Sequence, residues 1–400
     1  MNLPADDAPL PRLAIACLAL AAFGSGASLR INDALLPRLA TEFAVPLAVA
    51  AQVISVFAVA YGAAQLLFGP LGDRFGKYRV VGWGCAACAA SAAACAAAPD
   101  FTVLRLARVV AGISAASVIP LAMAWIGDVV PYERRQPVLA RFLAGQMTGM
   151  IAGQVAGGVI GDHFGWRMVF VVLAVVFAAA GLSLASQLRR NPWTRPVRRD
   201  EAYKPGFVRD YRKLFASPWC RFLLVAVFCE GAIFFGGFTY VSADLHARFG
   251  LSFSSIGFAI AGFGLGSICY AFGVRLLMRM LGEVGLVIGG GIVVALAYLS
   301  LATVPLWQQA PLAIGALGFG YYMLHNTLQT HATQMLPEAR GTAVAGFSSA
   351  LFLGASAGVT AAAPVFDRFG AVPVFVAAAV LWPSLAIWIR WQLKRRRAQA

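Results

Sequence analysis

The sequence predicts an all-α membrane protein: twelve transmembrane helices in two pseudo-symmetric six-helix bundles. Three observations predict it. The 400 residues are 60% apolar and only 12% charged, with a mean hydropathy of +0.75, more apolar surface than a soluble chain of this length needs. The apolar residues fall into twelve stretches near the length of about 20 residues that a helical crossing needs. The second half repeats landmarks of the first at an offset of 206 residues. Backbone polar groups in lipid find partners only within the segment, so each stretch is expected as a helix.

In chain order the spans are predicted at 13–37, 49–71, 80–98, 103–127, 138–160, 168–188, 220–243, 254–276, 284–304, 310–333, 342–366 and 372–390. The first apolar run is too long for the core of a cleavable leader and runs straight into further spans, so no cleaved signal is expected. Net charge is +15, and 28 of the 32 basic residues are arginine. The charge follows topology. Alternate connections hold Arg74, Lys77 and Arg79; Arg134 and Arg135; nine bases from Arg189 to Lys213; Arg275 and Arg279; Arg340; and the tail Arg390, Lys394, Arg395, Arg396 and Arg397. The others hold one each: Arg38, Arg105, Arg167, Arg248 and Arg368. The bias toward positive cytoplasmic loops then places both termini and the 189–213 segment in the cytoplasm. The basic tail is expected on anionic lipid and not on nucleic acid. The seven cysteines all lie in or beside apolar spans, and Cys85-x-x-Cys88 sits among alanines with no His or acid beside it. Packing, not metal or redox chemistry, is the expected role.

The repeat follows one register. Phe43 falls on Phe249, Gly76 on Gly282, Gly112 on Gly318, Pro131 on Pro337 and Arg134 on Arg340; after a slip of one residue, Asp162-His-Phe-Gly165 falls on Asp367-Arg-Phe-Gly370. The domain reading is an N-terminal bundle at 1–188, a basic cytoplasmic linker at 189–216 and a C-terminal bundle with a basic tail at 217–400. Parallel six-span halves place a site at mid-membrane between them.

Four motifs sharpen this. Between spans 2 and 3 the chain reads Gly69-P-L-G-Asp73-Arg74-F-Gly76-Lys77-Y-Arg79; span 4 carries Arg108-V-V-A-Gly112; span 5 carries Gly149-M-I-A-Gly153-Q-V-A-Gly157-Gly158; span 1 ends Asn32-Asp33-A-L-L-Pro37. On these motifs the chain resembles the major facilitator superfamily over its full length, and within it the twelve-span drug:proton antiporters. The resemblance implies the major facilitator fold, a proton gradient as energy source and no cofactor. Two departures stand out. Gln154 replaces the proline of the span-5 motif, which removes the kink attributed to that proline. Ser25 stands eight residues before Asp33, where some multidrug exporters carry glutamate.

The candidate residues divide by chemistry. In the resemblance, Asp73 holds the positive N-terminal end of span 11 near Gly341 and Thr342 when the cytoplasmic side is closed, with Arg74, Lys77 and Arg134 competing for it. Gly69 and Gly76 let that turn close tightly. The matching loop has Arg279 where Asp73 stands, so the gate is asymmetric. Asp33 and Glu230 are acids within spans, where ionisable groups are costly and usually functional. Both are candidate proton sites, with His325 as a relay; Arg30, one turn before Asp33, is a candidate partner. Glu230 has no base within one turn and reads as a lone acid. Arg108 must face the interior, with Asp33 or a span-1 or span-2 polar group such as Gln65 as expected partner. With Arg30, Asn32 and Arg108, the stripe Tyr322, Asn326 and Gln329 on span 10 and the aromatic Phe234 on span 7 are candidate cavity residues. The glycines of span 5, Gly149, Gly153, Gly157 and Gly158, give a smooth face for close packing, and with span 11 a surface on which two halves could rock.

The functional expectation is a multi-pass transporter of the bacterial inner membrane, working as a monomer. It would export an amphipathic drug-like compound or small metabolite in exchange for protons by alternating access. A symporter or uniporter for a sugar or organic acid is the rival within transport, and a membrane sensor the rival outside it. No G-x-x-x-x-G-K-S/T, G-x-S-x-G or H-E-x-x-H is present, so ATP drive and hydrolase chemistry are not expected.

Overall fold

The computed structural model describes residues 11–194, 207–336 and 339–399. The linker bases Arg195, Arg198, Arg199 and Lys204 and the register match at Pro337 lie outside these residues. The described residues form helices joined by short turns, and the helices group into twelve rods plus a linker helix. Span 1 is Arg12–Arg30 and Leu36–Glu42, span 2 is Leu47–Ala50 and Gln52–Phe75, and span 3 is Lys77–Ala96. Span 4 is Phe101–Ala115 and Val118–Val129, span 5 is Tyr132–Phe164 and span 6 is Trp166–Arg190. The linker helix Phe207–Ala216 follows. Span 7 is Pro218–Phe238 and Val241–Phe249, spans 8 and 9 are the two arms of Phe253–Thr303, and spans 10, 11 and 12 are Ala310–Ala332, Arg340–Phe369 and Ala371–Gln399. Nine described helices are long and apolar enough to cross a membrane, with Phe253–Thr303 taken as one. Spans 5 and 10 fall outside that set because their glycines and polar stripe dilute the hydropathy.

Local chemistry explains the boundaries. Asp100 caps span 4 by accepting from the Val103 N–H at 2.9 Å, and Ser217 caps span 7 ahead of Pro218. The turns between spans 2 and 3, 5 and 6, 8 and 9, and 11 and 12 each rest on a glycine of positive φ: Gly76 (91°), Gly165 (87°), Gly282 (64°) and Gly370 (76°). A side chain is strained in that conformation. These are two pairs of matched positions in the repeat. The interior is likewise built twice. One large apolar cluster is made of residues from Ala14 to Leu184, and another is centred on Leu214 to Leu393. The outward surface stays apolar, with Leu182, Phe272 and Leu312 among its most exposed side chains, as lipid contact requires.

The glycine face of span 5 packs differently from the expectation. A Cβ on Gly149, Gly153 or Gly157 would be driven into the span-1 backbone at Phe23, Ala27 or Ile31. Span 11 repeats this on span 7, with Gly354 against Phe228 and Gly358 against Ala232. These faces are therefore occupied within each half, and the rocking-surface reading is corrected for them. Gly158 alone of the four faces across the seam, onto Phe253 and Gly257 of span 8.

The halves meet along spans 2 and 11 and spans 5 and 8. At the end opposite the basic loops, the Asp162 carboxylate at the tip of span 5 accepts the N–H groups of Phe253 (3.2 Å) and Ser254 (2.7 Å) at the start of span 8. The Asp367 carboxylate at the tip of span 11 accepts the N–H of Ala48 (3.2 Å) at the start of span 2. Contact continues to mid-depth, where Tyr61 packs on Phe352 at 4.5 Å and Ile151 fills the space beside Gly264. Toward the basic end, Gly69 on span 2 and Gly341 on span 11 meet no atom of the described residues within 4 Å of where a Cβ would stand.

Candidate functional site

The break in span 1 between Arg30 and Leu36 positions the first polar centre. Helical hydrogen bonding lapses there, and Asp33 sits inside the break, 4% exposed. Its carboxylate lies 3.6 Å from the Arg30 guanidinium. Gln154 Nε2 donates to the same oxygen at 3.4 Å. Gln154, noted in the sequence only for the proline it replaces, therefore belongs to the site. Its signal was a polar side chain within a glycine face that meets span 1. Arg30 crosses the seam. Its guanidinium lies over Phe235 (4.5 Å), Phe238 (5.6 Å) and Phe263 (5.7 Å) of the second half, a cation–π setting. Arg30 Nε is buried without a hydrogen-bond partner among the described residues, as are both amide atoms of Asn32. The terminal nitrogens of Arg30 remain the accessible part of a guanidinium that has donors to spare.

Arg108 is corrected. Its direct partners are neither Asp33 nor Gln65 but two carbonyls, Val53 O (3.1 Å) and Ser28 O (3.3 Å), with the Phe57 ring 4.1 Å beneath. At 1% exposure it ties spans 1, 2 and 4 together and is sealed from solvent. An arginine in an apolar bundle solves its hydrogen bonding locally where carbonyls are within reach.

The second centre joins two residues that the sequence separates. Glu230, fully buried on span 7, shares a hydrogen bond of 3.0 Å with His325 Nδ1 of span 10. The reading of Glu230 as a lone acid is overturned, because its base comes from a neighbouring span and not its own. The His325 ring stacks on Tyr321 (5.1 Å, 13°). Glu230 Oε2 has no hydrogen-bond partner among the described residues. Beside the pair, Tyr322 is half-buried, and Asn326 donates to the Tyr270 hydroxyl at 3.2 Å. Two expected cavity residues lie elsewhere. Phe234 is wholly buried among Phe235, Phe238, Tyr321 and Trp382, and Gln329 is exposed toward the basic end of span 10.

Packing contacts also locate Glu230 in the repeat. Phe23 of span 1 and Phe228 of span 7 receive matching glycines, as do Ala27 and Ala232. In that register Glu230 matches Ser25. The carboxylate missing from span 1 stands at the equivalent place in span 7.

At the basic end the turn after span 2 brings Lys77 3.7 Å from Asp73 and into contact with Asp128 of span 4. Asp128 was missed because nothing in its local sequence marks it. Arg74 lies over the Phe75 ring at 5.1 Å, and Arg134 is exposed. Its neighbour Arg135 donates to Gly127 O at 2.6 Å and to Val130 O at 3.3 Å. Gly76 makes the turn itself.

The comparisons with known proteins agree with this architecture. The sequence matches the Major Facilitator Superfamily over residues 18–359. It is 27% identical to YceJ, an uncharacterised MFS-type transporter of Bacillus subtilis, over 86% of this chain and 87% of that one. It is 30% identical to a probable transporter of Streptomyces coelicolor, over 90% and 83% of the two chains. Among solved structures it resembles the nucleoside transporter NupG (TM-score 0.78, 13% identity, 94% and 98% covered). It also resembles a bacterial homologue of the lysosomal transporter Spinster (TM-score 0.74, 16% identity, 95% and 98% covered). Family, fold and multi-pass apolar helices converge: this chain belongs to the Major Facilitator Superfamily, and is a membrane transporter of a small molecule, driven without a cofactor, and not an enzyme.

Proposed function

We propose that the transporter is coupled to protons and exports an amphipathic drug-like compound or small metabolite by alternating access, as a monomer in the bacterial inner membrane. The basic loops and both termini face the cytoplasm, and residues 1–188 and 217–400 move as two units joined by the 189–216 linker. The observation that carries the reading is the Arg30–Asp33 pair at 3.6 Å, set in the break of span 1 with Arg30 resting on rings of the opposite half. A carboxylate there changes surroundings whenever the halves move, and its proton affinity changes with them. Protonating Asp33 removes the counter-charge of Arg30 and loosens its hold on one side of the seam. The Glu230–His325 pair is a second proton-accepting group at the centre of the other half. Lys77 with Asp73 and Asp128 forms part of the cytoplasmic gate.

The sense of coupling follows from what competes for Asp33. A substrate bearing a positive group competes with the proton for the carboxylate, and the two then travel in opposite directions. An organic acid competes with Asp33 for Arg30, so protonation favours its binding and the two travel together. The Arg30 Nε without a hydrogen-bond partner among the described residues is the observation behind that second reading, which stands as the alternative. Substrate binding and transport in proteoliposomes with imposed pH gradients decide between them. Exchange predicts weaker binding in acid, and co-transport predicts tighter binding. Wild-type coupling in an Asp33→Asn variant would overturn both.

A further inference from the structure

The closure at the end away from the basic loops uses two carboxylates that no motif names. Asp162, at the tip of span 5, accepts two backbone N–H groups at the start of span 8. Asp367, at the tip of span 11, accepts one at the start of span 2. The two contacts are copies of one another. Asp162 and Asp367 occupy matched places in the D-x-F-G repeat, and Ser254 and Ala48 differ by 206 residues, the register of the repeat. Each carboxylate belongs to one half and each helix start to the other, so neither contact survives separation of the halves at this end. The first turn of a helix has N–H groups without intrahelical partners and a positive end of the dipole, which makes it a strong seat for an anion.

We propose that Asp162 and Asp367 are paired latches that hold the outer side shut. They are positioning residues for transport, acting on the gate and not on the substrate. In the state described here both latches are made, while at the other end no atom of the described residues lies within 4 Å of where a Cβ on Gly69 or Gly341 would stand. Opening the outer side requires breaking three charge-assisted hydrogen bonds, two at Asp162 and one at Asp367. Asp162 is accordingly the stronger latch. The Asp367 contact is exposed, so water competes with it. The latch lies at the outer tip of span 5, apart from the Asp33 carboxyl in the break of span 1.

Beneath the Asp367 latch lies a small cavity of about 140 Å³ lined by Ser55 and Thr360 among others. It supplies the probe. In a background with the native cysteines replaced, Ser55→Cys, at a position buried while the latches are made, is labelled with a membrane-impermeant maleimide in proteoliposomes of known orientation, from the face opposite the basic loops. Asp162→Asn is expected to raise the labelling rate by about tenfold, the scale of hydrogen bonds to a charged acceptor. Asp367→Asn is expected to raise it less, and the double variant most. Asp100→Asn is the control. It removes a carboxylate from a helix start at the same end, but one that lies within a single half, so it leaves labelling unchanged. Gel filtration reports whether each variant is folded. Wild-type labelling in the folded double variant, or equal labelling in Asp100→Asn, overturns the proposal. The readout is conformational and needs neither a substrate nor a pH gradient, so it stands apart from the test of proton coupling.

Discussion

Gly112 packs on the Phe57 carbonyl in the first half, and Gly318 packs on the Phe263 carbonyl in the second, each partner 206 residues from its copy. The turn glycines, the glycine faces of spans 5 and 11 and the two outer carboxylates are duplicated in the same way. The centre of the molecule is not. The counterpart of Asp33 falls in the uncharged Phe238–Thr239 segment, Glu230 matches Ser25, and His325 matches Ile119. Repeated positions build and move the scaffold, where both halves face the same mechanical demand. The unrepeated positions at the centre carry the buried acids, as the proposed single proton path and single substrate would require.

The comparison is broken most severely at its repeated side. Gly149→Leu and Gly354→Leu each drive a side chain into a helix backbone that cannot yield. Overpacking of this kind costs about 1–3 kcal/mol where neighbours can shift, and more where they cannot. Both variants are expected to lose monodisperse protein on gel filtration, and to similar extents. A normal melting temperature for either one would separate the halves that the repeat equates. Next come the unrepeated acids. Asp33→Asn and Glu230→Gln are expected to keep the fold and to reduce proton-driven uptake or release by about 5- to 150-fold, the usual span of a coupling free energy. Combining Glu230→Ser with Ser25→Glu sharpens the point. It moves the carboxylate to the equivalent place in the other half, where Ile119 stands in for His325, and transport is expected to stay low. Full rescue would mean that the centre is functionally symmetric.

Gln154→Leu is expected to have a smaller effect. Gln154 Nε2 donates to an Asp33 carboxyl oxygen, a contact that favours the charged form, so its loss favours the protonated carboxyl. The midpoint of the transport–pH profile moves upward by about one unit, since about 1.4 kcal/mol corresponds to one unit. A fall in rate with an unmoved midpoint would assign Gln154 to packing alone. The smallest effect is expected for Cys88→Ala, a buried thiol in a helix-packing position, with transport rates in vesicles staying within about twofold. A larger loss would give the C-x-x-C pair a role beyond packing.

The parts legible in the sequence are those written locally. A span is a run of apolar residues, a turn is a glycine in a fixed place, and Asp33 announces itself as an acid beside a proline within a span. What stayed hidden depends on which spans touch. Glu230 and His325 are 95 residues apart and meet only because spans 7 and 10 are neighbours. Gln154 read as a missing proline until span 5 was seen to lie on span 1. Phe234 and Arg108 carried the right chemistry for a cavity, yet the fold seals both away. Composition does not say which face of a helix is inside when nearly every face is apolar.

The outer seam has one more consequence, best stated in the language of assemblies. Each half offers a carboxylate and receives one, so residue i of the first meets residue j of the second and the reverse holds as well. That is an isologous interface, of the kind two identical subunits make about a two-fold axis. Here both subunits lie on one polypeptide. Covalent fusion frees each half to vary alone, and the divergence of Asp33 from Thr239 and of Ser25 from Glu230 is possible only because it was used. The latches mark where that freedom ends, because a change at either carboxylate is felt by the half that does not carry it.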